Sequence, residues 1–337
     1  SSDLLLSGFL SYLTLFCGTV GLSWSGVLFE SGSVMNRIFW EIRVPRLVAA
    51  VLSGISLSVA GLSLQTLFRN PLAGPFVLGI SSGASLGVAL SLLAGFSFGY
   101  FGVLSSAAVG ALSVTSLVML VSNRFGSSTV LLIVGLLMGY FLDALVSLLV
   151  VGSNAEALKV YVSWGMGSFG RLTSDGIWIF ASAVAVGCAL VGVSIRYLNA
   201  IRMGDDFAKG LGVNVRLYRN LVLLGSSLLA AASTAYCGPV AFVGIAVPHL
   251  AFMLFKTGNH RLLLPGSALC GAVLCLLAGL FARVPLNAVL SLVGVPVVMA
   301  VIAASALIDR SWKDASDSVT MLSNTAAISE SAPSSTA

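Results

Sequence analysis

The fold is decided by residues 43–84, which read RVPRLVAAVLSGISLSVAGLSLQTLFRNPLAGPFVLGISSGA. The apolar run at 45–67 is long enough to cross a bilayer core of about 30 Å as one helix. A polar break at Asn70 and Pro71 ends that run, and a second apolar run follows at 74–93. Runs of this kind recur along the whole chain, which predicts an all-α polytopic membrane protein.

The composition supports the same class. The chain is 58% hydrophobic and only 9% charged, with a mean hydropathy of +1.04. A soluble domain has about 25% charged residues, so a chain of 337 residues this poor in charge could not cover a water-exposed surface. The five cysteines are odd in number and lie mostly in apolar runs, which indicates packing rather than disulfides or a metal site.

About ten membrane spans are predicted, and an even number places both termini on one side. Most of the 17 lysines and arginines fall on the side of the termini, which the positive-inside rule makes cytoplasmic. This bias explains the net charge of +5 without a nucleic-acid partner. The predicted spans are 4–22, 45–67, 74–93, 101–121, 129–151, 175–197, 217–236, 241–256, 262–282 and 287–308.

The predicted organisation is a single transmembrane domain over 1–313, with a cytoplasmic loop at 198–216. Residues 314–337 are rich in Ser, Ala and Thr and are expected to form a flexible cytoplasmic tail. The clearest break among the spans is Gly238-Pro239, where irregular backbone must be buried in protein or line a cavity.

One strongly charged segment interrupts the apolar chain, at 196–219. It reads RYLNAIRMGDDFAKGLGVNVRLYR and carries seven charged side chains. Asp205 and Asp206 suit the N-terminus of a short helix, where the helix dipole favours negative charge. Lys209 lies near its other end, and Gly210 or Gly212 could supply a left-handed stop. Such a helix, mixing small, apolar and charged residues, suits insertion into a groove of another protein.

Four collinear blocks then carry a resemblance to a known family. Besides residues 43–84 and the segment MGDDFAKGLGVNV, they are GPVAFVGIAVPHL at 238–250 and LLLPGSALCGA at 262–272, followed by VGVP at 293–296. Together they resemble the FecCD-type permeases, which are the membrane subunits of ATP-driven importers for iron-siderophore, haem and cobalamin. The similarity covers roughly residues 40–308.

The resemblance implies a type II ABC importer architecture in a bacterial inner membrane. The expected partners are a second copy of this chain, two ATP-binding subunits, a periplasmic or lipid-anchored substrate-binding protein, and membrane lipid. ATP and Mg²⁺ would be bound by the ATPase subunits, and this chain, which lacks a P-loop, would bind no cofactor or metal and catalyse no reaction. The expected cargo is a metal chelate.

The resemblance also assigns roles to particular residues. Arg43, Arg46 and Arg283 would form a basic outer surface that meets carboxylates of the binding protein. Contact with the ATPase would be made by Gly204, Asp205, Asp206, Ala208, Lys209, Gly210, Leu211 and Gly212. Structural or helix-packing roles are expected for Asn70, Pro71, Gly74, Gly79, Gly83, Gly87, Gly238, Pro239 and Pro248, and the spacing of Gly79, Gly83 and Gly87 favours close helix approach.

Two alternatives remain open at this stage. The same fold could import a small oxyanion such as molybdate or another metal compound. A different class, an ion-coupled secondary transporter, would use Asp143, the one acidic residue deep in a span, as its coupling acid; a hydrogen-bonded structural carboxylate is the other interpretation of Asp143.

The sequence departs from the family pattern at three places. Phe252 and Gly279 stand where an arginine and an aspartate are usual, and the connection after Arg283 is shorter. These departures indicate a subfamily some distance from the siderophore permeases.

Overall fold

The computed structural model describes residues 34–94, 99–125, 128–281 and 284–300. Within these ranges the chain is helical, apart from turns and short connections, and contains no strand. The helices in chain order are α1 (Val34–Phe68), α2 (Ile80–Leu92), α3 (Gly99–Phe125), α4 (Ser128–Val151), α5 (Ala155–Gly165), α6 (Ser174–Val193), α7 (Ile195–Ile201), α8 (Asp205–Gly210), α9 (Val215–Cys237), α10 (Val243–Phe255), α11 (His260–Leu280) and α12 (Leu286–Ala300).

Six helices in the described ranges are long and apolar enough to cross a bilayer, namely α1, α3, α4, α6, α9 and α11. Three shorter apolar helices, α2, α10 and α12, accompany them. These nine helices match the second to tenth predicted spans, so the prediction of an all-α membrane protein is confirmed. The first predicted span, 4–22, and the predicted tail, 314–337, lie outside the described residues.

Two helices form the centre of the bundle. In their most apolar stretches α1 and α9 are 72% buried, whereas α3, α4 and α6 are only 28% buried. A hydrogen bond between the hydroxyl groups of Ser53 and Ser233 joins the two central helices. The peripheral helices therefore offer most of their surface to lipid or to other subunits.

Small residues let other helices approach α1 closely. A Cβ atom at Gly54 would overlap the backbone of Gly271 in α11, and one at Gly61 would overlap the carbonyl of Gly244 in α10. Membrane helices lack a hydrophobic driving force toward one another, so close van der Waals contact of this kind carries the packing.

The start of α1 differs from a regular helix. Residues Ile38–Arg43 form π-helical turns directly before Pro45. The proline ring would clash with the carbonyl of the residue four positions earlier, and wider turns relieve that clash.

Two details of the predicted spans were wrong. Residues 74–79 belong to turns rather than to the third span, because Gly79 takes a left-handed conformation (φ +71°) and α2 starts only after it. Helix α5 was not predicted at all; it starts after Asn154, whose side-chain oxygen accepts a hydrogen bond from the Ala157 N–H. The predicted break at Gly238-Pro239 is present between α9 and α10.

Candidate functional site

The charged segment contains the predicted short helix, which is α8. Gly204 precedes it with φ +116°, a conformation that favours glycine, and Gly212 follows it with φ +76°. The left-handed residue after the helix is therefore Gly212, while Gly210 remains inside the helix.

Two carboxylates begin α8 and have different partners. The Lys209 ammonium donates to Asp206 Oδ1 at 2.9 Å, and both side chains are exposed, Asp206 by 97%. Hydrogen bonding and attraction from Lys209 lower the pKa of Asp206. A pair this exposed contributes little to stability.

Asp205 is partly buried and pairs with a buried residue instead. Its Oδ2 accepts from the guanidinium of Arg219 in α9 at 2.9 Å, and only 8% of the Arg219 side chain is exposed. The Asp205–Arg219 pair therefore connects α8 to α9, one of the two central helices. Tyr197 of α7 is fully buried and stacks on Tyr218 of α9, with 5.9 Å between ring centroids, which connects α7 to the same helix.

Helix α8 has an inner and an outer face. Ala208 is fully buried, so it packs against the chain's own core. Phe207 and Leu211 are 48% and 62% exposed, and Met203 just before the helix is 72% exposed. An exposed apolar face beside charged groups is the arrangement that a groove on another protein can receive.

A second polar cluster contacts the charged segment at Asn199. His260, which is 1% exposed, lies at the start of α11. Its ring binds the Thr66 hydroxyl of α1 at 2.8 Å, and its backbone N–H donates to Asn199 Oδ1 of α7 at 2.9 Å. The ends of α1 and α7 and the start of α11 thus meet at His260.

The two predicted docking arginines that the structure describes, Arg43 and Arg46, lie at the end of α1 opposite to Thr66. Arg46 precedes Thr66 by 20 residues in the same helix, which is about 30 Å. An Arg46 guanidinium nitrogen donates to the carbonyl of Gly279 near the end of α11 at 3.3 Å. Arg43 is half-buried beside it in the chain, and Arg283 lies outside the described residues.

The glycines of α2 lie at helix contacts. A Cβ at Gly83 would press on Val114 and Gly110 of α3, and one at Gly87 would overlap Ser106 of α3. A Cβ at Gly79 would come within 3.0 Å of the Gly135 carbonyl in α4. Helix α2 is therefore held closely between α3 and α4.

Other predicted structural residues lie in the two breaks. Asn70 Oδ1 accepts from the Leu72 N–H at 2.9 Å, and the Pro71 carbonyl lies 3.0 Å from the His249 ring, one residue after the buried Pro248. Gly74 faces the Ile245 side chain. Gly238, with φ +80°, starts the segment that continues through Pro239, and a Cβ there would lie 2.6 Å from the Trp164 carbonyl. These contacts position α10 against the segment between α1 and α2.

Sequence reasoning missed Arg219 as a partner of Asp205. The sequence did contain a signal for this pair. Arg219 lies 14 residues after Asp205 and about one turn into an apolar run, where a charge that faces solvent is unexpected. In the described ranges no group of three or more His, Cys, Asp or Glu side chains could hold a metal ion.

Asp143 lies on α4 with an exposed side chain. The Ser147 hydroxyl donates to its backbone carbonyl at 2.9 Å and not to its carboxylate. The hypothesis of a hydrogen-bonded structural carboxylate therefore finds no support in the described residues.

The helical bundle, with two buried central helices and a short exposed helix between α7 and α9, matches the architecture of a solved ABC transporter, which places the chain in the class of ABC transporter permeases. The model of the FecCD transport family matches residues 4–308, and the chain belongs to that family. This confirms the resemblance and makes the chain an integral membrane protein.

Individual relatives of the chain support this family assignment. The hemin transport system permease protein HmuU of Yersinia pestis is 36% identical over 279 residues, covering 79% of this chain and 83% of the relative. The vitamin B12 import system permease protein BtuC of Salmonella arizonae is 32% identical over 271 residues, covering 77% and 80%. A solved ABC transporter assigned to the metal-chelate type, in an inward-facing conformation, superposes with a TM-score of 0.82 at 30% identity, covering 90% of this chain and 98% of that structure.

Proposed function

We propose that this chain is the permease subunit of a binding-protein-dependent importer that moves a metal chelate into the cytoplasm. The family membership supports the transport class, and the haem, vitamin B12 and metal-chelate relatives support the cargo. An importer of oxyanions and an ion-coupled secondary transporter are not favoured by these relatives.

The proposed assembly has two copies of this chain in a bacterial inner membrane, with both termini in the cytoplasm. Two ATPase subunits bind ATP and Mg²⁺ below, and a substrate-binding protein docks above. The chain itself provides the path and catalyses no reaction. The opposite placement of α8 and of Arg43 and Arg46 along α1 supports this division, because one end would meet the ATPase and the other the binding protein.

The single observation that carries the coupling role is the attachment of α8 to α9. The exposed Phe207 and Leu211 would enter a groove of the ATPase, and the Asp205–Arg219 pair would carry its movement to the centre of the bundle. Because a rigid attachment transmits force and a flexible loop does not, this pair suits ATP-driven gating better than substrate binding.

Co-purification tests the proposal. The tagged permease is extracted in mild detergent, and recovery of an ATPase carrying a G-x-x-x-x-G-K-[ST] motif is measured. Phe207→Asp should reduce that recovery strongly, because it places a charge in an apolar contact. Phe281→Asp is the matched control, since Phe281 is 61% exposed at the opposite end of the bundle.

Two results would reject the proposal. One is equal loss of the ATPase in both variants. The other is a wild-type protein that carries no ATPase and moves substrate on a proton gradient without ATP, which would favour the secondary transporter.

A further inference from the structure

Helix α4 carries a single acidic side chain, Asp143, within its apolar length. The residue lies eight positions before the end of the helix at Val151, which is about 12 Å along the axis. Its side chain is exposed on the surface of the chain. A carboxylate is therefore presented outward at a depth where lipid tails surround a bare membrane helix.

Asp143 belongs to a polar stripe on α4. Tyr140, Asp143 and Ser147 share one face of the helix at spacings of three and four residues, and all three side chains are exposed, Tyr140 by 66%. Apolar residues surround this stripe, with Leu136 and Leu148 46% and 71% exposed. Contact between a polar stripe of this kind and the hydrocarbon of a bilayer is energetically unfavourable.

A hydroxyl group from another helix lies near the stripe. The Tyr161 hydroxyl of α5 is hydrogen-bonded to Ser85 of α2 and is near enough to Asp143 to feel the charge of its carboxylate. Helix α5 packs against α2 and lies outside the six long spans. The polar surface thus extends from α4 onto a short helix that follows it.

The surroundings of this surface follow from its charge. Ionisable residues within membrane spans almost always face a bundle interior or a water-filled cavity, because lipid cannot solvate them. Direct packing of two copies through the stripe is disfavoured as well, since two-fold symmetry would bring like charges together. Of lipid, a second copy of the chain and water, water is the environment that suits this charge best.

We propose that the stripe Tyr140, Asp143 and Ser147 lines the aqueous path and that Asp143 binds a cationic group of the substrate. That group is an ammonium, a guanidinium or a positively charged metal complex. The inference rests on the proposed function and narrows its cargo, because a carboxylate attracts cations and repels anionic chelates and oxyanions.

Charge-selective thiol labelling tests the path directly and needs no knowledge of the cargo. Tyr140→Cys and Ser147→Cys are prepared separately, with and without Asp143→Asn, and reconstituted in liposomes. Each is treated with a cationic and an anionic methanethiosulfonate reagent of similar size. The wild-type chain, with its own cysteines, supplies the blank.

The proposal expects both engineered cysteines to react, with a preference for the cationic reagent, relative to the preference of a small free thiol in solution, on the order of tenfold. Asp143→Asn should remove the preference, and Asp143→Glu should keep it. A failure of both cysteines to react, which lipid or a packed interface would cause, overturns the proposal. So does a preference that is unchanged by Asp143→Asn.

Uptake measurements then test the substrate class. The complete importer is supplied with the ferric complex of a linear trihydroxamate bearing a free terminal amine, and with its N-acetylated, uncharged form. Asp143→Asn should lower ATP-dependent uptake of the cationic complex relative to the uncharged one, and Asp175→Asn, an exposed carboxylate at the start of α6, should not. An unchanged ratio in Asp143→Asn counts against the cation site.

Failure of the two proposals can be told apart. If the wild-type importer shows no ATP-dependent uptake of any chelate, the proposed function fails, whereas the labelling pattern still judges the stripe. If uptake is normal and labelling is absent, the function stands and the cation site is rejected.

Discussion

Asp205 and Asp206 are neighbours in the sequence, yet their carboxylates serve different purposes. Asp205 neutralises a buried guanidinium, and Asp206 pairs with Lys209 on the surface. Removing one partner of a buried ion pair leaves an uncompensated charge, which costs about 3–5 kcal/mol in full burial and less here because Asp205 is 27% exposed. Only Asp206 is therefore available to a partner protein without cost to the fold.

The first prediction separates these roles. Asp205→Lys should lower the melting temperature of the purified permease, because it places a second cation beside Arg219. Asp206→Lys should leave the melting temperature unchanged and weaken ATPase coupling by reversing a surface charge on α8. Melting in detergent and ATP-dependent uptake in liposomes are measured on both variants, and equal destabilisation by the two would contradict the assignment.

At the scale of the element, the packing of α1 depends on its glycines. Their spacing in the sequence does not show which of them matters most for that packing. The contact of Gly61 with Gly244 brings the backbones of α1 and α10 together, so any side chain must push the helices apart. Gly192 in α6 has nothing within 4 Å of its Cβ position. The cost of a methyl group thus depends on the neighbouring helix.

A matched pair of alanine substitutions tests this packing. Gly61→Ala should reduce the yield of folded protein severely, because rigid backbone cannot yield as a side chain can. Gly192→Ala should be neutral or slightly stabilising, since alanine is favoured over glycine in a helix by about 1 kcal/mol. Size-exclusion profiles and melting temperatures measure both, and a tolerated Gly61→Ala would refute the close contact of α1 and α10.

The elements themselves differ in how well the sequence predicts them. Apolar length identifies α1, α4 and α11, because crossing a bilayer imposes a minimum run. Helix α5 was not predicted because it is short and carries two charged residues, Glu156 and Lys159. The signal available in the sequence was its capping residue, Asn154. The Asp205–Arg219 pair joins two elements, and no local pattern predicts such a contact.

At the scale of the whole molecule, the two proposed docking surfaces lie far apart, and any coupling between them must act over that distance. The described arginines and α8 lie at opposite ends of the bundle, and α1, one of its two central helices, runs from Val34 to Phe68 between them. Binding of a loaded partner at one end can influence ATP hydrolysis at the other only if the bundle has two packed arrangements that both partners bias. Arg43 and Arg46 are the described residues through which the outer partner would act.

A double charge reversal tests this long-range coupling. Arg43→Glu with Arg46→Glu should abolish the stimulation of ATP hydrolysis by the loaded binding protein, because carboxylates on that protein would meet like charges. Basal ATP hydrolysis should persist, since α8 and its attachment to Arg219 are untouched. Arg124→Glu, an exposed charge reversal at the end of α3, is the control. Hydrolysis is measured in reconstituted membranes with and without binding protein; stimulation that survives in the double variant would show that the binding protein docks elsewhere.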